Sequence, residues 1–121
     1  EKVKSPGVLY KHYSPRCETL LFTEEELEEA FTACARAKLD GKRVVALCEE
    51  KYVTLFERAG IPALNLGKTE SEMAYRLYEL LREAEKMCDV LVTIEPKDNG
   101  GVMTGVLNRL RKACNSTDIQ H

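Results

Sequence analysis

The sequence holds 121 residues, 44% of them hydrophobic, with a formal net charge of −2. That length suits one domain, and the apolar share supports a packed core. The near-neutral balance excludes an overall basic field drawing the domain to nucleic acid or an anionic membrane, and no apolar run approaches the roughly 20 residues of a spanning helix.

Close to the start lies Ser5 to Arg16, reading Ser-Pro-Gly-Val-Leu-Tyr-Lys-His-Tyr-Ser-Pro-Arg. Pro6 and Pro15 lack the N–H a helix interior needs, and Gly7 weakens helix further. Residues before proline are pushed toward extended geometry, which predicts an extended arm. Tyr10, Lys11, His12 and Tyr13 follow one another, with Arg16 close behind. Passive spacers are usually Gly/Ser-rich or uniformly charged. Two aromatics, a histidine and cations suit a segment that lies on something. The tyrosines could stack on an adenine while Lys11 or Arg16 meets a phosphate; equally, the aromatics could pack the arm onto its own domain. Glu1 in place of methionine raises the expectation of a piece of a longer chain.

Cys17 to Phe22 is predicted as the first strand. Thr23 and Glu26 have the spacing of a capping box. Leu27, Ala30, Phe31, Cys34 and Lys38 recur at helical spacing, and Gly41 stops that helix. Arg43 to Cys48 is apolar without alternation, as in a strand covered on both faces. A second helix runs over Glu49 to Ala59, with Tyr52, Val53, Leu55 and Phe56 inward and Gly60 as its stop. Pro62 marks the strand over Ile61 to Leu66 as an edge. Ser71 or Thr69 caps a third helix whose inner face is Met73, Leu77, Leu80, Leu81, Ala84 and Met87. Asp89 to Glu95 forms the fourth strand, Pro96 to Gly101 a loop, and Val102 to Cys114 the last helix. The tail from Asn115 to His121 either adds a short strand through Ile119 or frays.

Alternating strands and helices imply an α/β fold: a small Rossmann-like, three-layer α/β/α domain with a mostly parallel sheet of four or five strands. The arm covers residues 1–16 and the domain 17–121. The expected strand order is 3-2-1-4. Ligands in such sheets sit at the carboxyl ends of the strands, where the order reverses, here between the first and fourth. The loop beyond the fourth strand then supplies a weak candidate ligand loop in Glu95, Asn99, Gly100 and Gly101, near Asp98. Its glycines match neither a dinucleotide fingerprint nor a P-loop, and Gly67-Lys68-Thr69 lacks a P-loop's upstream glycine. Turn and packing roles are the plainer reading of these glycines. Glu24 to Glu29, and Glu49 with Glu50, read as solvated helix faces. Arg109, Arg111 and Lys112 read as cations offsetting a helix C-terminal dipole. The five cysteines have no Cys-x-x-Cys spacing and fall partly on core faces, which predicts buried reduced thiols in a reducing, cytoplasmic setting. With only His12 and His121 as histidines, zinc is not expected.

The arm's Ser-Pro-Gly-x-x-Tyr-x-His-Tyr-x-Pro resembles the linker of the Sua5 type of threonylcarbamoyl-AMP synthase. Gly105 to Ala113 resembles that family's Met-Asn-Arg-Leu-x-Lys-Ala helix, with Leu107 where methionine is usual. The resemblance spans roughly residues 5 to 115, and the linker motif is the more specific part. It implies an accessory C-terminal domain joined by its linker to an N-terminal YrdC-like catalytic domain that this sequence lacks. By resemblance, Ser5, Pro6, Gly7, Tyr10, Lys11, His12, Tyr13 and Pro15 cover the active site of that domain and meet threonine and ATP there. The family makes threonylcarbamoyl-AMP from threonine, bicarbonate and ATP, releasing pyrophosphate, toward a modified adenosine at position 37 of tRNA. The resemblance implies no cofactor in this domain, ATP and as an option Mg in the parent enzyme, no direct nucleic-acid partner, no membrane, and an inert isolated chain. The alternative is a stand-alone ligand-binding or regulatory α/β module using the Glu95–Gly101 loop.

Overall fold

The computed structural model describes residues 15–119, with side chains described through Cys114. Four parallel strands form one sheet: β1 Glu18–Phe22, β2 Val44–Cys48, β3 Ala63–Asn65 and β4 Val90–Ile94. The helices are α1 Leu27–Leu39, preceded by a 3-10 turn over Glu24–Glu26, then α2 Glu50–Arg58, α3 Glu70–Met87 and α4 Val102–Ile119. This is the expected Rossmann-like α/β/α architecture. The arm from Ser5 to Tyr13 and the last residue, His121, lie outside the described residues; Pro15 lies inside them and is buried.

The strand order is β1-β4-β2-β3, not the expected 3-2-1-4. The reason lies in how much of each strand is covered. Every residue of β2 and β4 is buried, whereas β1 carries exposed Glu18 and three half-buried residues, and β3 is short and only half-buried. The doubly covered strands take the centre and the partly covered ones the edges. β4 therefore inserts between β1 and β2, pairing Leu20 with Val92 on one side and Ala46 with Val92 on the other.

Right-handed crossovers then fix the layers. The chain walks one way from β1 to β2 to β3, which puts α1 and α2 on one face. It walks back from β3 to β4, which puts α3, and after it α4, on the other. Two cores result. Ala30, Cys34, Phe56, Ile61, Val92 and Ile94 belong to the first. Leu47, Leu77, Leu81, Leu91, Met103, Leu107 and Leu110 belong to the second.

Several expectations fail in instructive ways. Leu55 and Met87, expected inward, are 44% and 38% exposed. Ala37, not Lys38, closes the buried stripe of α1. The last helix continues to Ile119, so no strand forms there and Arg109, Arg111 and Lys112 are mid-helix, not at a C-terminus. Thr69, not Ser71, caps α3: its hydroxyl accepts from Glu72 N at 3.1 Å, and Glu72 Oε1 accepts from Lys68 N at 2.7 Å and Thr69 N at 3.2 Å.

Gly67 makes that cap fit. Its φ is +117°, and a Cβ there would meet Glu72 Cβ at 2.8 Å and Oε1 at 2.9 Å. Both the left-handed backbone and the contact exclude a side chain. Gly67→Ala is expected to lower unfolding free energy by roughly 1–3 kcal/mol. Urea denaturation checks it, and a loss below half a kcal/mol would contradict the packing described.

Candidate functional site

Because the strands are parallel, their carboxyl ends share one edge of the sheet. The loops after β2 and β4 depart to opposite faces, so a mouth opens between them, and the turn after β1 closes its side. The expected opening between the first and fourth strands is part of this mouth, but the insertion of β4 beside β2 widens it.

The resulting crevice encloses about 180 Å³. Glu24 comes from the turn after β1, Glu49 from the N-cap of α2 and Lys51 from its first turn, Lys68 from the β3–α3 connection and Glu70 from the first position of α3. Lys97 and Asn99 come from beyond β4. Glu24 is its organising residue, with a side chain only 10% exposed. Lys51 Nζ stands 3.1 Å from its Oε2 and Lys97 Nζ 4.0 Å from its Oε1. Burial works to raise the Glu24 carboxyl, but Lys51 and Tyr52 outweigh it and hold the group below the usual carboxylate range. Glu49 goes the other way. Burial raises it and the Glu24 charge adds to the rise, although Lys51 opposes both. The pair is thus set as one ionised and one more readily protonated carboxyl.

These two acids overturn the solvated-face reading for Glu24 and Glu49. Glu50 keeps it in part: it is exposed, 3.6 Å from Lys68 Nζ, and its carboxylate accepts from Asn65 Nδ2 at 3.5 Å. The 3-10 turn after β1 is the device that sequence periodicity could not show. It turns Glu24 into the crevice while Glu25 stays exposed.

The candidate loop beyond β4 is only partly gathered into the crevice. Asn99 lines it. Glu95 instead accepts from Arg111 Nε at 2.9 Å on α4. Gly100 and Gly101 form a left-handed turn, φ +87° and +59°, stitched by Asp98 Oδ1, which accepts from Gly100 N at 2.9 Å and Thr104 Oγ1 at 3.0 Å. The loop's polar groups thus point into its own turn and into α4. Of the two described arm residues, Pro15 is buried and Arg16 N donates to Glu85 Oε1 of α3 at 3.1 Å. The arm therefore leaves the domain beside the C-terminal part of α3.

Chemically, the crevice holds acids and lysines that already neutralise one another. Its volume falls below the roughly 300–1,000 Å³ of usual ligand pockets. Among the described residues no His/Cys/Asp/Glu group could hold a metal ion, and no helix is long and apolar enough to cross a membrane.

The parallel sheet, its two helical layers and this small charged mouth define a Rossmann-like α/β/α domain. Over residues 1–115 the sequence matches the threonylcarbamoyl-AMP synthase C-terminal domain, and the chain belongs to that family. It is 28% identical over 119 residues to the threonylcarbamoyl-AMP synthase of Pyrococcus abyssi (strain GE5 / Orsay), covering 93% of this chain and 32% of that protein. Among solved structures it resembles P. abyssi Sua5 complexed with L-threonine, with a TM-score of 0.70 and 25% identity over 88% of this chain and 30% of that one. A P. abyssi Sua5 variant with a histidine and a tyrosine changed to alanine gives 0.65 and 23% identity, over 85% of this chain and 29% of that one. The chain spans about a third of the length of these relatives.

Proposed function

We propose that this chain is the accessory domain and active-site-covering linker of an L-threonylcarbamoyladenylate synthase. Joined to a YrdC-like catalytic domain in the cytoplasm, it would serve the nucleotidyl transfer that turns threonine, bicarbonate and ATP into threonylcarbamoyl-AMP and pyrophosphate, for tRNA modification in support of translation. ATP, and Mg if the reaction uses it, would bind the catalytic domain. The observation that carries the reading is the extent of the family match, which takes in the arm as well as the globular part.

In this reading Tyr10, Lys11, His12 and Tyr13 lie over the neighbouring active site, with Ser5, Pro6, Gly7 and Pro15 shaping the path. Closing such a site keeps water from a labile carbamoyl-adenylate. The stand-alone ligand-binding alternative has less support, because the crevice is small and the loop beyond β4 satisfies its own polar groups.

Pyrophosphate release tests the reading. The isolated chain with ATP, threonine and bicarbonate is expected to release none, and the chain joined to a catalytic domain to release it at a threonine-dependent rate. Turnover by the pure isolated chain would overturn the assignment, and calorimetric binding of ATP or threonine to it would favour the alternative.

A further inference from the structure

One side of the edge strand β1 is turned out of the sheet. Among the described residues β1 pairs only with β4. Glu18 N donates to Asp89 O at 3.1 Å, and Phe22 O accepts from Glu95 N at 2.8 Å. The backbone groups of Glu18, Leu20 and Phe22 are therefore turned to β4, and by the alternation of a strand those of Thr19 and Leu21 are turned outward. The outward groups at the two ends of the strand have partners within the chain. Cys17 O accepts from Thr19 Oγ1 at 3.2 Å, and Thr23 N donates to Glu26 Oε1 at 2.9 Å. Thr19 and Leu21 thus present their N–H and C=O groups along an edge with no lysine, proline or bulge. Natural edges usually carry such protection. The other edge, β3, is protected by its brevity, with three residues.

A hole and a knob lie at opposite ends of β1. On the α1 face a cavity of about 250 Å³ opens at the Glu18 end, between Leu20 and Val90 of the sheet and the small Ala33 and Ala37 of α1. On the same face, at the other end, stands half-buried Phe22. The charges are divided likewise. Arg36 and Lys42 stand at the cavity, with Asp40 and Glu18 among them. Beyond Phe22 comes the acidic turn, where Glu25 and Glu26 are exposed. An antiparallel partner of the same sequence brings knob to hole and acids to cations.

We propose that β1 pairs with β1 of a second copy about a two-fold axis through Leu20, joining two four-stranded sheets into one. Leu20 then faces its own counterpart, Thr19 faces the partner's Leu21, and Glu18 faces the partner's Phe22. Thr19 and Leu21 occupy the hydrogen-bonded positions, so the outward N–H and C=O groups of both chains are matched. Glu18 and Phe22 occupy the non-hydrogen-bonded positions, where Cα atoms approach to about 4.5 Å. Each Phe22 ring is set at the mouth of the other copy's cavity, with Glu25 and Glu26 toward the other copy's Arg36 and Lys42. The two Glu18 carboxylates stand at opposite ends of the paired ribbon and do not oppose each other. The contact is isologous, so it closes at two copies. It rests on this domain's own fold and stands whether or not the arm covers an active site.

Sedimentation equilibrium of the wild-type chain at micromolar concentrations should give twice the 13.7 kDa of one copy. Leu20→Lys sets two like charges opposite each other at the axis and should raise the dissociation constant roughly tenfold or more. Tyr75→Ala, at a position 88% exposed on α3, should leave it unchanged. Leu20→Cys should give a disulfide-linked dimer on mild oxidation, because facing positions of an antiparallel pair lie within disulfide reach. The wild-type chain, with its five thiols buried, should give none. Should Leu20→Lys not fold, the cross-link decides. A wild-type mass of 13.7 kDa throughout would overturn the proposal. So would a dimer that survives Leu20→Lys, or a Leu20→Cys dimer that does not cross-link, since either assigns the contact to another face.

Discussion

Tyr10→Ala and His12→Ala, made in a synthase carrying this chain behind its catalytic domain, are each expected to lower the rate of threonylcarbamoyl-AMP formation by about tenfold to a hundredfold. Loss of a group that positions substrate or closes a site costs on that order. The melting temperature of the C-terminal domain should not move, because the proposed contacts lie across the domain boundary and outside both hydrophobic cores. Kinetics with threonine and ATP varied separately, set beside calorimetric melts, distinguish the two effects. A parallel loss of rate and stability would mean that the aromatics pack onto their own domain. Full activity in both variants would reduce the arm to a tether.

Phe56→Ala is expected to cost stability instead, by about 3–5 kcal/mol. Phe56 is fully buried on α2. Its ring stacks on Phe31 of α1 with centroids 4.5 Å apart and an interplanar angle of 25°. It fills the space between those helices and the sheet, where Ala46, Cys48 and Ile61 complete the packing. Removing the ring leaves a cavity that surrounding strands can only partly close. Against the roughly 5–15 kcal/mol of a typical domain, such a loss is a large share of the total stability. Urea titration followed by circular dichroism measures it. A change under 1 kcal/mol would mean that α1 and α2 repack freely and that this core is not the jigsaw described.

Most of the fold was legible because its signals are local. Unbroken runs such as Val44 to Leu47 mark strands, helical spacing of Met73, Leu77, Leu81 and Ala84 marks α3, and glycines after α1 and α2 mark their ends. Strand order was not, since it depends on which runs are covered from both sides. Val90-Leu91-Val92-Thr93-Ile94 and Glu18-Thr19-Leu20-Leu21-Phe22 both read as strands, yet only the first is buried throughout. Glu18 was the available clue that β1 belongs at an edge. The crevice was hidden for a related reason. Glu24 begins a run of glutamates that looks solvated, and its burial depends on Lys51 and Lys97, which arrive from other loops. The length of the last helix was obscured by a tail whose single apolar residue, Ile119, gave no period to follow.

Amide hydrogen exchange across the arm, measured on the protein with its catalytic domain attached, reports whether the arm closes over that domain's active site. Residues 5–14 should exchange fast without substrates and slow markedly when threonine and ATP are added together, while the strands β2 and β4 stay protected throughout. Arm exchange that is unchanged by substrates would mean that the arm does not cover the active site.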